Sequence, residues 1–140
     1  MAQPLLTKEQ SFSFHKEGLR NTKVLIVDDN YLLAHLIQLM LEDEGYEARA
    51  AGDGREGYFS YLLFRPDVVI TDLHMPGKNG LELMENIRRH DPKVKTIYMS
   101  GEPWLFWSRL EEEKTGYPVS ILQKPFSKVE LMRLLSEPGG

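Results

Sequence analysis

Apolar residues fall along this chain in two alternating textures. One is a short unbroken run rich in β-branched side chains. The other is a longer stretch in which apolar positions recur every three to four residues. Val24-Leu25-Ile26-Val27 is the first run, and it stops at Asp28-Asp29. A run of that kind predicts a strand buried on both faces. Leu33, Leu36, Ile37, Met40 and Leu41 then recur at helical spacing through Glu44, with Asn30 placed to cap the helix and Gly45 to end it. Tyr46 to Ala51 predicts a second strand. Asp53 to Phe64 predicts a second helix, weakened at Gly57 and stopped by Pro66.

The alternation continues to the end of the chain. Asp67 to Thr71 predicts a third strand, ending at Asp72, and a loop with Pro76, Gly77 and Gly80 follows. Leu81 to His90 predicts a helix with Leu83, Met84 and Ile87 turned inward. Val94 to Met99 predicts a fourth strand ending at Ser100-Gly101. Pro103 suits a first helical turn, and Trp104 to Lys114 is expected to be helical. Val119 to Leu122 predicts a fifth strand before Lys124-Pro125. Ser127-Lys128-Val129-Glu130 has the form of a capping box and opens a last helix carrying Val129, Leu131, Met132, Leu134 and Leu135.

Strands and helices in strict alternation imply an α/β domain, a parallel sheet with helices on both faces. Residues 23–137 hold the whole pattern. Residues 1–22 are aperiodic and are expected to be an extension or linker, although Leu5, Leu6, Phe12 and Phe14 are available for packing. Residues 138–140 form a short tail. A length of 140 residues suits one domain, and 41% hydrophobic content is enough for a core.

Charge and composition narrow the function. The formal net charge of −4 argues against a nucleic-acid partner. The absence of cysteine excludes a disulfide framework, a thiolate metal site and a cysteine nucleophile, and it fits a reducing compartment. No apolar run reaches the roughly 18 residues a membrane span needs. The N-terminus lacks the basic and apolar regions of a secretory signal. The expectation is a cytoplasmic domain with no membrane partner.

The candidate chemistry collects at one edge. In open parallel sheets, ligands bind outside the C-terminal ends of the strands, beside the point where the winding reverses. Directly after the predicted strands come Asp28 and Asp29, Asp72, Ser100 and Lys124. Each alone is ordinary loop chemistry. Together they bring three carboxylates, a hydroxyl and an ammonium to one crevice. Carboxylates so close repel unless a cation joins them, and hard oxygen ligands suit Mg²⁺. Such a site can bind phosphoryl oxygens, and a carboxylate can itself become an aspartyl phosphate.

These residues resemble the receiver domain of two-component response regulators. The carrying motifs are Val24-Leu25-Ile26-Val27-Asp28-Asp29-Asn30, Pro66 to Pro76 with Gly80, Met99-Ser100-Gly101 and Lys124-Pro125-Phe126. The resemblance implies a flavodoxin-like doubly wound sheet of five strands in the order 2-1-3-4-5. It implies that Asp72 accepts a phosphoryl group from a phosphohistidine on a sensor histidine kinase or histidine phosphotransfer protein. It implies Mg²⁺ held directly by Asp29 and Asp72, through water by Asp28, and by the backbone carbonyl of His74. Lys124 would pair with the phosphoryl oxygens, Ser100 would be the hydroxyl switch, and the Lys124–Pro125 peptide would be cis. Such a protein is a signalling domain rather than an enzyme acting on a separate substrate, although it catalyses its own phosphoryl transfer and autodephosphorylation. A homodimer or a downstream protein is the expected recipient of the signal.

Two departures stand out. The family carries an aromatic residue three positions before the lysine, where this chain has Ile121. The stretch from Glu102 to Ser120 holds Trp104, Phe106 and Trp107, of which at least one is expected to be exposed at a partner face. Other readings fit less well. A haloacid-dehalogenase-like phosphatase needs a second acid where this chain has His74, and a non-phosphorylated pseudo-receiver would have lost an acid or the lysine.

Overall fold

The computed structural model describes residues 22–137. The expected extension, apart from Thr22, and the tail lie outside the described residues. Strands β1 (Lys23–Val27), β2 (Glu47–Ala51), β3 (Val68–Asp72), β4 (Lys95–Ser100) and β5 (Val119–Gln123) form one sheet in the order β2-β1-β3-β4-β5. Every neighbouring pair is parallel. Between and after them run α1 (Tyr31–Asp43), α2 (Gly54–Phe64), α3 (Gly80–Arg88), α4 (Trp107–Gly116) and α5 (Lys128–Ser136).

The two-residue period of a strand divides the interior into two cores. Val24 and Ile26 of β1 face one side with Ile70 and Met99, where α1 and α5 pack through Ile37, Leu41, Leu131 and Leu135. Leu25 and Val27 face the other side with Val69 and Tyr98, where α2, α3 and α4 pack through Tyr61, Met84, Ile87 and Leu110. Unbroken apolar runs are therefore what this sheet requires, because neither face of its central strands meets water. Gly57 also finds its reason here. A Cβ at that position would lie 3.0 Å from both methyls of Val27, so the weak helix former lets α2 settle closely onto β1.

The helix starts follow their caps. The side chain of Asn30 accepts from the Leu33 N–H at 3.2 Å, and that of Asp53 from the Glu56 N–H at 2.8 Å. Asn79 with Glu82, and Ser127 with Glu130, form reciprocal capping boxes. Ser127→Ala removes the acceptor for the Glu130 N–H, and we expect it to lower unfolding free energy by about 1 kcal/mol. Urea melts with an unchanged m-value would check this.

Three expectations need correction. The helix expected from Trp104 to Lys114 is split: Pro103–Phe106 is a 3-10 turn and α4 begins at Trp107. Neither segment has a side-chain cap to fix its start. Leu36 and Val129 sit on the outer faces of α1 and α5, with Val129 75% exposed. The helix from Leu81 ends its regular turns at Arg88, short of His90. Among the described residues, no helix is long and apolar enough to cross a membrane.

Candidate functional site

The chain turns to β2 on one side after β1 and to β4 on the other after β3, so the winding reverses between β1 and β3. There the register pairs Val27 with Thr71, which brings Asp28 beside Asp72 at the strand ends. Asp28, Asp29 and Asp72 each offer a carboxylate oxygen, and these oxygens lie within 4.8 Å of one another. Asp28 and Asp72 are buried, while Asp29 is exposed on the rim. On the next strands, Ser100 ends β4 opposite Gln123 of β5, and the Lys124 N–H donates to the Ser100 carbonyl at 2.8 Å.

Lys124 reaches into the acidic group. Its Nζ lies 2.8 Å from Asp28 Oδ2 and 3.4 Å from Asp72 Oδ2. The remaining oxygen of each acid accepts from backbone: Asp28 Oδ1 from the Asn30 N–H at 2.9 Å, and Asp72 Oδ1 from the His74 N–H at 3.2 Å. Both oxygens of Asp28 are thus engaged, whereas Asp29 makes the outer lip.

Burial raises the Asp72 carboxyl above its ordinary range, and the neighbouring Asp28 raises it further, while Lys124 and the His74 N–H pull the other way. Burial works against the Lys124 ammonium. Its bonds and charge pairing with Asp28, then with Asp72, outweigh that and hold its pKa above the ordinary value. The site is therefore short of positive charge around Asp72, with one ammonium serving two buried acids. A hard divalent cation fits that deficit and that oxygen set.

The other expected site residues lie around this group. Ser100 is buried, and its Oγ accepts from the Glu102 N–H at 2.9 Å. The Lys124–Pro125 bond is cis. The His74 imidazole stands outside the carboxylate group, exposed, with Phe106 edge-on to it at 4.8 Å between centroids. Asp29, His74 and Phe106 line a cleft of about 440 Å³ beside Asp72. Ile121 is half-buried and lies directly across from Tyr98.

Sequence reasoning did not single out Phe106 as a wall of this cleft, nor a buried cluster of Arg88, Tyr98 and Glu113 on the α3–α4 side. The signal for the cluster was faint. Glu113 follows Leu110 by three positions on α4, so both fall on its one buried stripe.

Trp104 and Trp107 are 58% and 53% exposed, and only Phe106 of the three aromatics packs partly inward.

Comparison with known proteins agrees with this geometry. The crystal structure of the chemotaxis protein CheY4 of Vibrio cholerae is 30% identical and superposes with a TM-score of 0.72, over 81% of this chain and 95% of that one. The response regulator TrrA of Thermotoga maritima, solved in complex with Mg²⁺–BeF, is 29% identical with a TM-score of 0.70, over 82% and 96% of the two chains. The transcriptional regulatory protein TrcR of Mycobacterium tuberculosis is 30% identical over 86% of this chain but 46% of its own length. The chain thus spans about half the length of the transcriptional regulators it matches. The family model for the response regulator receiver domain matches residues 24–136. With those residues spanning all five strands and the acidic edge, this chain belongs to the response regulator receiver family.

Proposed function

We propose that this receiver domain takes a phosphoryl group onto Asp72 from a phosphohistidine of a sensor histidine kinase or histidine phosphotransfer protein. The observation that carries this reading is the convergence of Asp28, Asp29 and Asp72 within 4.8 Å, with the Lys124 ammonium against two of them.

In the transfer, an Asp72 carboxylate oxygen attacks phosphorus and the P–N bond to the donor imidazole breaks. The imidazole leaves with its electron pair and is protonated as it departs. The chain's contribution is position and charge. The His74 N–H and the Lys124 ammonium orient the Asp72 carboxylate. After transfer, Lys124 pairs with a phosphoryl oxygen and the Ser100 hydroxyl donates to another. Water later cleaves the acyl phosphate and returns the carboxylate, so the domain acts on its own phosphoryl group.

Asp29 and Asp72 would hold Mg²⁺ directly and the His74 carbonyl would add a third protein oxygen. Asp28, whose oxygens are already bonded to Lys124 and Asn30, would act through water. Bound there, Mg²⁺ supplies neutralisation of the phosphoryl oxygens. The receiving partner is a second copy or a downstream protein in a cytoplasmic relay.

Acetyl phosphate with Mg²⁺ should add one phosphoryl group by intact-protein mass spectrometry, and chelation should abolish the gain. No gain with Mg²⁺ present would overturn the reading. Asp29→Ala should weaken Mg²⁺ binding more than Asp28→Ala in a titration followed by tryptophan fluorescence. Equal affinity of Asp29→Ala and the unaltered protein would show that the metal is held elsewhere.

A further inference from the structure

Position 121 lacks the aromatic side chain that receivers carry, but an aromatic hydroxyl sits next to it. The register pairs Ile121 with Tyr98 of β4. Tyr98 is fully buried, and its phenol donates to Glu113 Oε1 at 2.5 Å. Burial holds that phenol far above its ordinary titration range, so it stays a donor. Glu113 belongs to α4, of which only Leu110 and Glu113 are buried.

The same carboxylate oxygen meets Arg88 Nη1 of α3 at 2.9 Å, with the two side chains 4% and 8% exposed. Arg88 Nη2 donates to Thr96 Oγ1 at 3.0 Å, and its guanidinium lies 4.2 Å from the ring centre of Tyr117 just beyond α4. Arg88 Nε is the one buried side-chain polar atom without a partner among the described residues. So α4 is tied to the body by one buried apolar peg and one buried ionic peg, with an exposed Arg109–Glu85 pair to α3 beside them, and the buried ionic peg leaves Arg88 Nε without a partner. In so buried a network the loss of one member leaves the others unpaired out of water, so its bonds are made or broken together.

That network shares a strand with the expected hydroxyl switch. Thr96, Tyr98 and Ser100 alternate onto one face of β4. Ser100 Oγ accepts from the N–H of Glu102, the residue just before the 3-10 turn that feeds α4, and so holds the approach to a turn that has no side-chain cap of its own. If Ser100 turns to donate to a phosphoryl oxygen, it gives up that N–H. The turn is then released at its start, and α4 is left on Leu110 and Glu113.

We propose that the Tyr98–Glu113 hydrogen bond is a latch holding α4 in the unphosphorylated protein, and that phosphorylation of Asp72 opens it through Ser100 and the 3-10 turn. Tyr98 thereby serves as the positioning residue for the output helix in place of an aromatic at 121. This inference rests on the phosphoacceptor reading above and adds its route of regulation.

Hydrogen exchange with and without beryllofluoride and Mg²⁺ tests it on the whole chain. In the unaltered protein, beryllofluoride should speed exchange across residues 107–116 by about tenfold, the worth of one net hydrogen bond. Tyr98→Phe without beryllofluoride should already show that acceleration, with the amides of β1 and β3 unchanged as proof of folding. Beryllofluoride should then add little more there. Glu113→Gln, which weakens the tie from the helix side, should repeat the pattern. Ile121→Val should behave like the unaltered protein.

Normal α4 protection in resting Tyr98→Phe and Glu113→Gln, or a full beryllofluoride response remaining in both, would overturn the latch. A beryllofluoride response at residues 72–76 and 100–102 without one at 107–116 would overturn the latch alone. No response anywhere in the unaltered protein would overturn the phosphoacceptor reading, and the route with it.

Discussion

Asp72→Asn should leave a protein that gains no phosphoryl group from acetyl phosphate and Mg²⁺ under conditions in which the unaltered chain gains one. The amide keeps the shape of the side chain but has no anionic oxygen to attack phosphorus. The same substitution should raise the melting temperature of the metal-free protein at neutral pH. In the folded chain, burial and then Asp28 push the Asp72 carboxyl above its ordinary range. A raised carboxyl means that ionisation costs the folded state more than the unfolded one. That cost is fully present above the folded titration range and is gone below the ordinary carboxylate range. The gain in melting temperature should therefore shrink as pH falls through that window. Lys124 does not lose its main partner in this variant, since it lies closer to Asp28 than to Asp72. Phosphoryl uptake by Asp72→Asn would refute the acceptor assignment. A lower melting point at neutral pH would refute the account of strain.

Gly80→Ala should damage both fold and site, although position 80 carries no chemistry. A Cβ there would lie 2.3 Å from the Asp72 carbonyl oxygen, 3.2 Å from its carbonyl carbon and 3.3 Å from the Thr71 Cγ2. The nearest obstacle is backbone, not the end of a flexible side chain. Gly80 is also the first residue of α3, whose Leu81, Leu83, Met84 and Ile87 are buried. Moving the helix away would unpack those four, so the strain falls on the end of β3. We expect a loss of about 3 kcal/mol, the upper end for overpacking. A displacement of Asp72 on the order of 1 Å would also slow phosphoryl uptake by roughly a hundredfold. Urea melts and initial labelling rates would measure the two effects. Gly116→Ala is the control, because a Cβ there meets nothing within 4 Å. Equal behaviour of the two variants would show that the contact with Asp72 does not matter.

The sheet and its acidic edge were legible because buried parallel strands leave a coarse mark. Runs such as Val24 to Val27 and Val68 to Ile70 are unbroken since both faces are covered, and each stops where the chain emerges beside an acid. The pairing of those acids in space then follows from topology. The side around the 3-10 turn and α4 was less legible. Trp104 to Lys114 read as one helix, yet no side chain caps either start, and the first turn closes more tightly as a 3-10 turn. Leu36 and Val129 match the apolar period of their helices but fall on the outer side, which a period alone does not distinguish from the edge of a buried stripe. Arg88 and Glu113 left only a faint mark for another reason. Charged residues on two separate helices read as solvated faces, and only the packing of α3 against α4 brings them together out of water.

The sparse attachment of α4 has a consequence for how this protein can diversify. Apart from Leu110 and Glu113, the side chains of that helix are not buried, and the Arg109–Glu85 pair that also reaches α3 is exposed and of the kind worth little to stability. Substitutions at such positions typically change stability by no more than about 0.5 kcal/mol. Trp107, Glu111, Glu112 and Lys114 can therefore be exchanged, gained or lost over evolutionary time without endangering either core or the acidic edge. If α4 is the output helix, as proposed above, a lineage can rewrite whom the domain addresses while its chemistry stays as inherited. Insulation of related pathways from one another can then arise by drift and selection on one loosely held helix, with no redesign of the domain that carries it.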